Sequence, residues 1–442
     1  MNDEVMNIDW SNLSLCDSGS RVFIHNNKIY RAILKPDLQL LTILKEPFFI
    51  ELVEKELFPS TKLSTTKFKG FEYVLEHETA DYILYPHEWS FDMLKVASIL
   101  YLKVASIALK YGYVLKDGHP FNIVFFGKYP KFVDLGSFEK GTEQNLYEFN
   151  RTMFIPLLIW SKGSYLTALN FFCDTNLSIP LNQIQSTYLG PILFAGGRKK
   201  AIKNILQYFY KEKSILFSNN VNKITKYIET IQPVAYKTEW NNYHESYFND
   251  SEISYRFGRV IDFINELNDI ETVYDIACNQ GFFTFLISKK CDKLKKIIAT
   301  DFDENAINTF YKTLIISEHQ KISVGVANII TPNSSSFKEL QPHKRLVSDC
   351  VIALALTHHL ILGQKFHINV IFETFFKLTK KYLFVEFMPL GLWPGGDNPN
   401  PKIPDYYTEK WFQNNLELHF DIIKKEILEK NRMIFICIKK KI

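Results

Sequence analysis

The chain has 442 residues, room for two or three domains at about 100–200 residues each. Its 46% hydrophobic and 15% aromatic content, with 37 Phe and 23 Tyr, excludes a disordered chain and calls for broad, well-filled cores. A formal net charge of +4 gives no field that would mark a nucleic-acid binder, so no nucleic-acid partner is expected.

The opening residues Met1-Asn2-Asp3-Glu4 are acidic and carry no apolar run, so no secretory signal is expected. Two short strands follow around a turn at Asn26-Asn27, covering 22–24 and 29–33, then a helix candidate at 38–56 and strands at 71–76 and 82–85. Residues 90–111 have the apolar spacing of one long helix. After it come 115–122, a strand at 123–126, a turn at Gly127, and Phe132-Val133 running into Asp134-Leu135-Gly136. Residues 138–230 read as helical and aromatic, and the polar stretch 241–251 suits a domain boundary.

From about residue 250, strands and helices alternate. A helix at 254–267 precedes strand 272–276, helix 282–289, strand 296–300, helix 303–317 and strand 322–327. Then come a buried strand at 349–355, a helix at 368–379, a strand at 382–387 and a helix at 407–415. Such alternation builds a parallel sheet with helices on both faces. The last two strands, 420–428 and 433–439, are joined by so short a link that they must pair antiparallel.

The chemistry concentrates first at Asp275-Ile276-Ala277-Cys278-Asn279-Gln280-Gly281, where a strand runs into a tight turn and a helix. Twenty residues past Gly281 a second strand ends in Asp301. A glycine lets backbone approach a ligand closely, and an acid on the next strand can accept hydrogen bonds from ribose hydroxyls. Asp275 puts a carboxylate where a pyrophosphate would otherwise lie, which disfavours NAD and FAD and suits a cationic cofactor without phosphate. Asn279 belongs to this turn, and Asn328 follows the third strand.

Three candidate bases sit at strand ends. Thr357-His358-His359 follows the fourth strand and Glu386 ends the fifth, where ligands of open α/β sheets bind. A histidine there can deprotonate a hydroxyl near neutral pH. His359 is favoured, with His358 as the alternative and Glu386 orienting it or binding substrate. Trp240 and Tyr243 precede the first helix of this half, where an aromatic can lie against a bound cation, and the Gly- and Pro-rich stretch 391–404 reads as a substrate loop. No Asn/Asp-Pro-Pro-Tyr follows the fourth strand and no Pro-Cys is present. The six cysteines form no C-x-x-C and read as reduced thiols of a cytoplasmic protein without a zinc site, and no apolar run spans a bilayer.

Upstream, Asp117, Asn122 and Asp134 have the spacing used in kinase-type phosphoryl transfer, with Asp117 as proton acceptor and Asn122 and Asp134 as Mg2+ ligands. Arg31 or Lys35 is the candidate phosphate-side cation, with Glu51, Glu54 or Glu56 as its acid, and Gly19 is the one glycine near the first strand pair. Glycine poverty there disfavours efficient transfer.

The turn 275–281 resembles motif I of the class I S-adenosylmethionine methyltransferases, Asp-x-Gly-x-x-x-Gly, with Ala277 at the first glycine position. That resemblance implies S-adenosylmethionine as cofactor, Asp301 as ribose-binding acid and Asn328 as adenine contact. Segments 115–126, 132–138, 275–283, 354–360 and 385–387 together resemble a bacterial methyltransferase group related to the nodulation protein NoeA, which implies a glycan or small-molecule hydroxyl acceptor in surface-polysaccharide or signal-glycan synthesis. The expected fold is α/β. A seven-stranded, Rossmann-like class I methyltransferase domain at 236–442 follows an α+β protein-kinase-like domain at 1–235. ATP with Mg2+ in that first domain, making the chain a bifunctional kinase-methyltransferase, is the alternative, and a non-catalytic scaffold is the second. The sequence leaves the oligomeric state open.

Overall fold

The computed structural model describes residues 8–10, 19–34, 38–163, 165–173, 215, 218–234, 254–334 and 340–441. The chain divides into two compact units, Met1–Tyr236 with Ser334–Glu339, and Lys237–Asn333 with Leu340–Ile442.

The first unit opens with strands β1 (Asp9–Trp10), β2 (Ser20–His25) and β3 (Lys28–Ile33), then β4 (Thr61–Leu63) and β5 (Tyr73–His77). They form one antiparallel sheet in the order β1-β2-β3-β5-β4. Asn26 and Asn27 both have positive φ, which matches a two-residue hairpin turn to the twist of its strands. Phe23, Tyr30 and Phe68 pack beneath this sheet with centroids 4.9–5.4 Å apart. The expected helix at 38–56 is two helices, Gln39–Ile43 and Pro47–Glu54, because Pro47 supplies no amide to continue the first. The expected strand at 82–85 is not one: the segment runs into a turn at Pro86–Glu88, where the Glu88 carboxylate accepts the Tyr85 amide at 2.9 Å.

Helix Phe91–Lys110 is buried along one broad face from Phe91 to Ala108. Beyond it lie β6 (Tyr113–Leu115), the hairpin of β7 (Ile123–Phe126) and β8 (Tyr129–Phe132), and β9 (Phe138–Lys140), which pairs with β6. β9 lies within the stretch read as helical. Its short run pairs with β6 and buries Phe138 against Phe48 at 5.0 Å.

The second unit is built on β10 (Thr272–Ile276), β11 (Lys296–Asp301), β12 (Ile322–Val326), β13 (Ser348–Ala353), β14 (Thr379–Phe387), β15 (Phe420–Glu429) and β16 (Arg432–Lys439). Their order is β12-β11-β10-β13-β14-β16-β15, with β16 antiparallel to both its neighbours and the other pairs parallel. This bears out the seven-stranded α/β sheet and its terminal hairpin. The chain moves outward from β10 through β11 to β12, then returns to the other side of β10 as β13. A crevice must therefore open at the carboxyl ends of β10 and β13, the switch point of the sheet. Ile297, Ile298, Val351, Ile352, Phe384 and Val385 are fully buried, as central parallel strands covered on both faces require. Among the described residues, no helix is long and apolar enough to cross a membrane.

Helix Phe282–Lys290 starts on Gly281, whose φ of +79° is left-handed and whose added Cβ would overlap the Phe310 ring. A Gly281→Ala substitution is expected to cost about 2–4 kcal/mol, from left-handed strain plus overpacking. Urea denaturation measures it, and a loss below about 1 kcal/mol would show that Phe310 moves aside freely.

Candidate functional site

The crevice holds a cavity of about 210 Å³. Its floor is the turn after β10, where Ala277, Asn279 and Gly281 all have positive φ, +59°, +51° and +79°. The amides of this turn hold it from within: Cys278 donates to the Thr300 carbonyl, Asn279 to Asp301, Gln280 to the Asn279 side chain and Gly281 to the Cys278 carbonyl. An alanine held there carries roughly 1–2 kcal/mol of strain that glycine would avoid.

Two carboxyls border the cavity. Asp301 accepts the Asn279 amide on Oδ2 and the Asp303 amide on Oδ1, both at 2.9 Å, so the end of β11 fixes the turn after β10. Each carboxylate oxygen keeps a further lone pair for a ligand. Asp275 accepts the Thr284 hydroxyl on Oδ2 at 2.6 Å. Burial pushes the Asp275 carboxyl up to about 7, with Asp301 adding to the rise and Thr284 and Arg256 opposing it. Burial likewise raises Asp301 to about 6, against the amides it accepts. Two adjoining acids with raised affinity for protons favour a cationic guest.

Of the adjacent histidines, His359 lines the cavity. His358 is buried behind it, ring centroids 4.0 Å apart, and its Nδ1 meets no partner among the described residues. Burial, reinforced by His359, Arg432 and Arg256, lowers His358 to about 2, so its ring stays neutral and is a poor proton acceptor. His359 opens a single π-helical turn, His359–Gly363, a deviation often found at functional positions.

Glu386 corrects the expectation of a base or orienting group at the end of the fifth strand. It is fully buried, and its carboxylate binds Arg256 in a bidentate pair at 2.8 and 2.9 Å, Arg432 at 3.1 Å and the Ala355 amide at 2.7 Å. Burial opposes its ionisation, but Arg256 and Arg432 hold it below the usual carboxylate range. It takes no place on the cavity wall. Ala355, which it clamps, does line the cavity and has φ +50°.

Asn328 also lines the cavity, with Oδ1 accepting the Ile330 and Thr331 amides at 3.1 and 3.0 Å. Its side chain therefore shapes the loop after β12. Trp240 and Tyr243 lie outside the described residues. In the 391–404 loop, Trp393 donates to the Asn398 carbonyl at 2.8 Å, and an added Cβ on Gly391 would press on Leu362 of the π-helical turn.

Among the cavity residues that sequence reasoning missed are Phe302 and Arg256. Phe302, half exposed beside Asp301, offers a large apolar face. Its signal was a big aromatic placed just after the acid that ends β11. Arg256 is 3% exposed on the apolar stripe of helix Tyr255–Glu266 with Phe257 and Val260, and a lone arginine on a core-facing stripe was the signal.

In the first unit, the segments carrying Asp117, Asn122 and Asp134 are hydrogen-bonded together. Lys116 and Asp117 donate to Ser137, and the Val133 amide donates to the Asn122 carbonyl at 2.9 Å. Asn122 Nδ2 is buried without a partner among the described residues. Arg31 reaches Asp134 at 3.6 Å and donates to Ser20 at 2.7 Å. The expected Arg31 partnership with helix acids is not seen for Glu51, which binds Lys55, Lys110 and Tyr111 instead. Lys35 lies outside the described residues.

No family model matches the chain. The nodulation protein NoeA of Rhizobium meliloti (strain 1021) is 22% identical over 349 residues, covering 72% of this chain and 71% of that protein. An S-adenosylmethionine-dependent methyltransferase of Clostridium acetobutylicum ATCC 824 aligns over 45% of this chain and 96% of its own, at 13% identity and TM-score 0.34. A SAM-dependent methyltransferase of Aquifex aeolicus aligns over 46% of this chain and 100% of its own, at 14% identity and TM-score 0.33.

The raised acids fix a sign for pH dependence. A carboxyl that holds its proton more tightly folded than unfolded contributes stability fully present below about pH 4 and lost as pH rises through about 6–7. Relative to Asp275→Asn, the ligand-free protein is expected to lose on the order of 2–4 kcal/mol between pH 4.5 and 8. Urea denaturation across that range measures the difference, and a flat profile would contradict burial as the cause.

Proposed function

We propose that the second unit is an S-adenosylmethionine-dependent methyltransferase acting on a hydroxyl oxygen of a small molecule or glycan. One observation carries the reading: Asp275 and Asp301, at the carboxyl ends of adjoining strands, flank a left-handed turn at the switch point of a β12-β11-β10-β13-β14-β16-β15 sheet. The residues present suit that cofactor. Asp301 keeps lone pairs for ribose hydroxyls, Phe302 and Ile329 offer apolar faces for a base, and Asp275 sets a carboxyl beside a cation.

Bound there, the cofactor would supply an electrophilic methyl group on a sulfonium. The chain's own work is placement and proton removal. The turn 277–281 and the clamped Ala355 wall would hold the cofactor against the acceptor, and such positioning is the source of most of the rate in such transfers. A hydroxyl acceptor must also lose its proton, and His359 is the cavity histidine set to take it. Loop 391–404, seated on the His359 turn through Gly391 and Leu362, is the acceptor-side loop in this reading.

A glycan acceptor draws support from the likeness to NoeA over most of the chain. The first unit is read as a kinase-like, substrate-recognising module spanning 1–235, with the transferase at 236–442. Its antiparallel sheet, long helix and the hydrogen-bonded Asp117, Asn122 and Asp134 segments support this. The second reading, phosphoryl transfer with ATP and Mg2+, is favoured by the unpartnered Asn122 amide and opposed by the Arg31 contact that already engages Asp134.

Calorimetry should give micromolar S-adenosylmethionine affinity and no NAD binding. Asp301→Ala should weaken binding at least tenfold, because hydrogen bonds to a charged group are worth roughly 1.5–3 kcal/mol. Affinity should rise from pH 5.5 to 8 as Asp275 ionises, and unchanged affinity in Asp301→Ala would sink the assignment. With a hydroxyl acceptor supplied, His359→Ala should slow S-adenosylhomocysteine formation roughly 10²–10⁴-fold with cofactor affinity retained, whereas near-native turnover would remove His359 as the base.

A further inference from the structure

Loop 391–404 holds one aromatic ring in place without burying it. Trp393 is half-buried, with its indole Nε1 donating to the Asn398 carbonyl at 2.8 Å and the Lys430 ammonium over its ring, 4.6 Å from the centroid. Asn398 in turn donates its side-chain amide to the Gly395 carbonyl at 2.7 Å. The polar handle of the indole is thus engaged inside the loop, and part of its large apolar surface stays open to solvent. Asp397 and Asn400 are exposed in the same loop.

The loop is tied to the cavity wall at both ends. Asn431, 6% exposed in the turn between β15 and β16, accepts the Leu390 amide at 2.6 Å and donates to the Gly391 carbonyl at 3.4 Å. Its neighbour Arg432 holds Glu386, which clamps Ala355. At the far end Tyr407 packs on Phe387, the residue after Glu386, with ring centroids 5.1 Å apart. An added Cβ on Gly391 would lie 2.7 Å from Leu362 and 2.8 Å from Ile403, so the two ends meet on the turn that begins at His359. Compact surface loops with joined ends are often functional. Trp393 stands two residues from that junction and does not itself line the cavity.

We propose that Trp393 is a stacking platform for a pyranose ring of the methyl acceptor, with Asp397 and Asn400 supplying hydrogen bonds to its hydroxyls. This rests on the methyltransferase reading above and deepens it by naming the acceptor class. A pyranose presents C–H groups on its face, whose positive edges suit the negative face of an indole, and hydroxyls around its rim. A planar aromatic acceptor has no such rim to engage the acid and amide of the loop. The Asn398 bond and Lys430 fix the indole beforehand, so little side-chain freedom is lost on binding.

The test is saturation-transfer NMR on the full chain with S-adenosylhomocysteine present. Its probes are the methyl pyranosides of glucose, galactose, mannose, fucose, rhamnose, glucuronic acid and N-acetylglucosamine, with catechol as a planar hydroxyl competitor. At least one pyranoside should receive saturation on its ring C–H protons and bind in preference to catechol. Trp393→Ala should weaken that pyranoside by about fivefold or more, and Trp393→Phe, which keeps an aromatic face, should fall between. Calorimetric S-adenosylhomocysteine affinity should stay within about twofold in both variants, because Trp393 lies outside the cavity lining. With S-adenosylhomocysteine bound by the wild type, three results would each overturn the proposal and leave the cofactor reading standing: no saturation of any pyranoside, catechol preferred to all of them, or unchanged pyranoside binding in Trp393→Ala. Parallel loss of pyranoside and S-adenosylhomocysteine in both variants would make Trp393 a brace of the fold and overturn it too. Failure of the wild type to bind S-adenosylhomocysteine would sink both readings.

Discussion

The second unit depends on one hydrogen-bonded acid. Asp301, at the end of β11, accepts the Asn279 and Asp303 amides on its two oxygens and thereby ties the turn after β10 to the start of the next helix. Without that tie, Ala277 and Asn279 have little reason to remain in a left-handed conformation that opposes their side chains. The strain is held because the structure around it is over-determined. Gly281 closes on Phe310, Cys278 donates its amide to Thr300 at 3.1 Å, and Thr284 bonds Asp275. Strain of this kind persists only where the surrounding structure over-determines it.

Much of this was legible in the sequence, and for physical reasons. Strand 272–276 matches residue for residue, because an apolar run between a polar link and a glycine turn has one way to be buried. Asp275, Gly281 and Asp301 could be placed at the ends of β10 and β11 and at the helix start because a tight strand-to-helix turn restricts residue type at each position. His359 could be placed at the strand end but not separated from His358, since only side-chain direction decides which ring faces the cavity and which is desolvated. Glu386 was misread for a related reason. Its environment is set by Arg256 and Arg432, which lie 130 and 46 residues away along the chain. Spacing shows local chemistry and is silent on such distant partners. In the first unit the 82–85 segment has strand-like composition, yet Glu88 captures the Tyr85 amide, a local competition that propensity does not weigh.

The wall of the cavity opposite in the sheet order, beyond β13, is held by charge and not by packing. Glu386 joins helix Tyr255–Glu266, the left-handed Ala355 after β13, and Arg432 at the start of β16. Arg432 is balanced in turn by Glu429 at 2.9 Å, so two arginines meet two acids and the cluster adds no net charge. Thr357 donates to the Glu386 carbonyl at 2.7 Å and completes the clamp. Apolar side chains could fill the same volume with equal or better stability. They could not fix the direction in which Ala355 and Leu356 leave the strand, which a directional hydrogen bond does.

These two devices divide the work of the crevice. Asp301 fixes the turn that floors the cavity, while Glu386 fixes a wall and holds the Arg256 guanidinium. Their protonation behaviour differs in the same sense. Asp301 and Asp275 are pushed up by burial without a full counter-charge, whereas Glu386, no less buried, is pulled down by two guanidiniums. A carboxylate neutralised by two guanidiniums serves as a structural anchor, whereas one desolvated without a full counter-charge favours a cation beside it. The contrast separates the two acids that line the cavity from the one that does not. It also explains why an adjoining histidine is kept neutral. His358 stands near both arginines, and a third positive charge there would compete for Glu386 and loosen the wall beside His359.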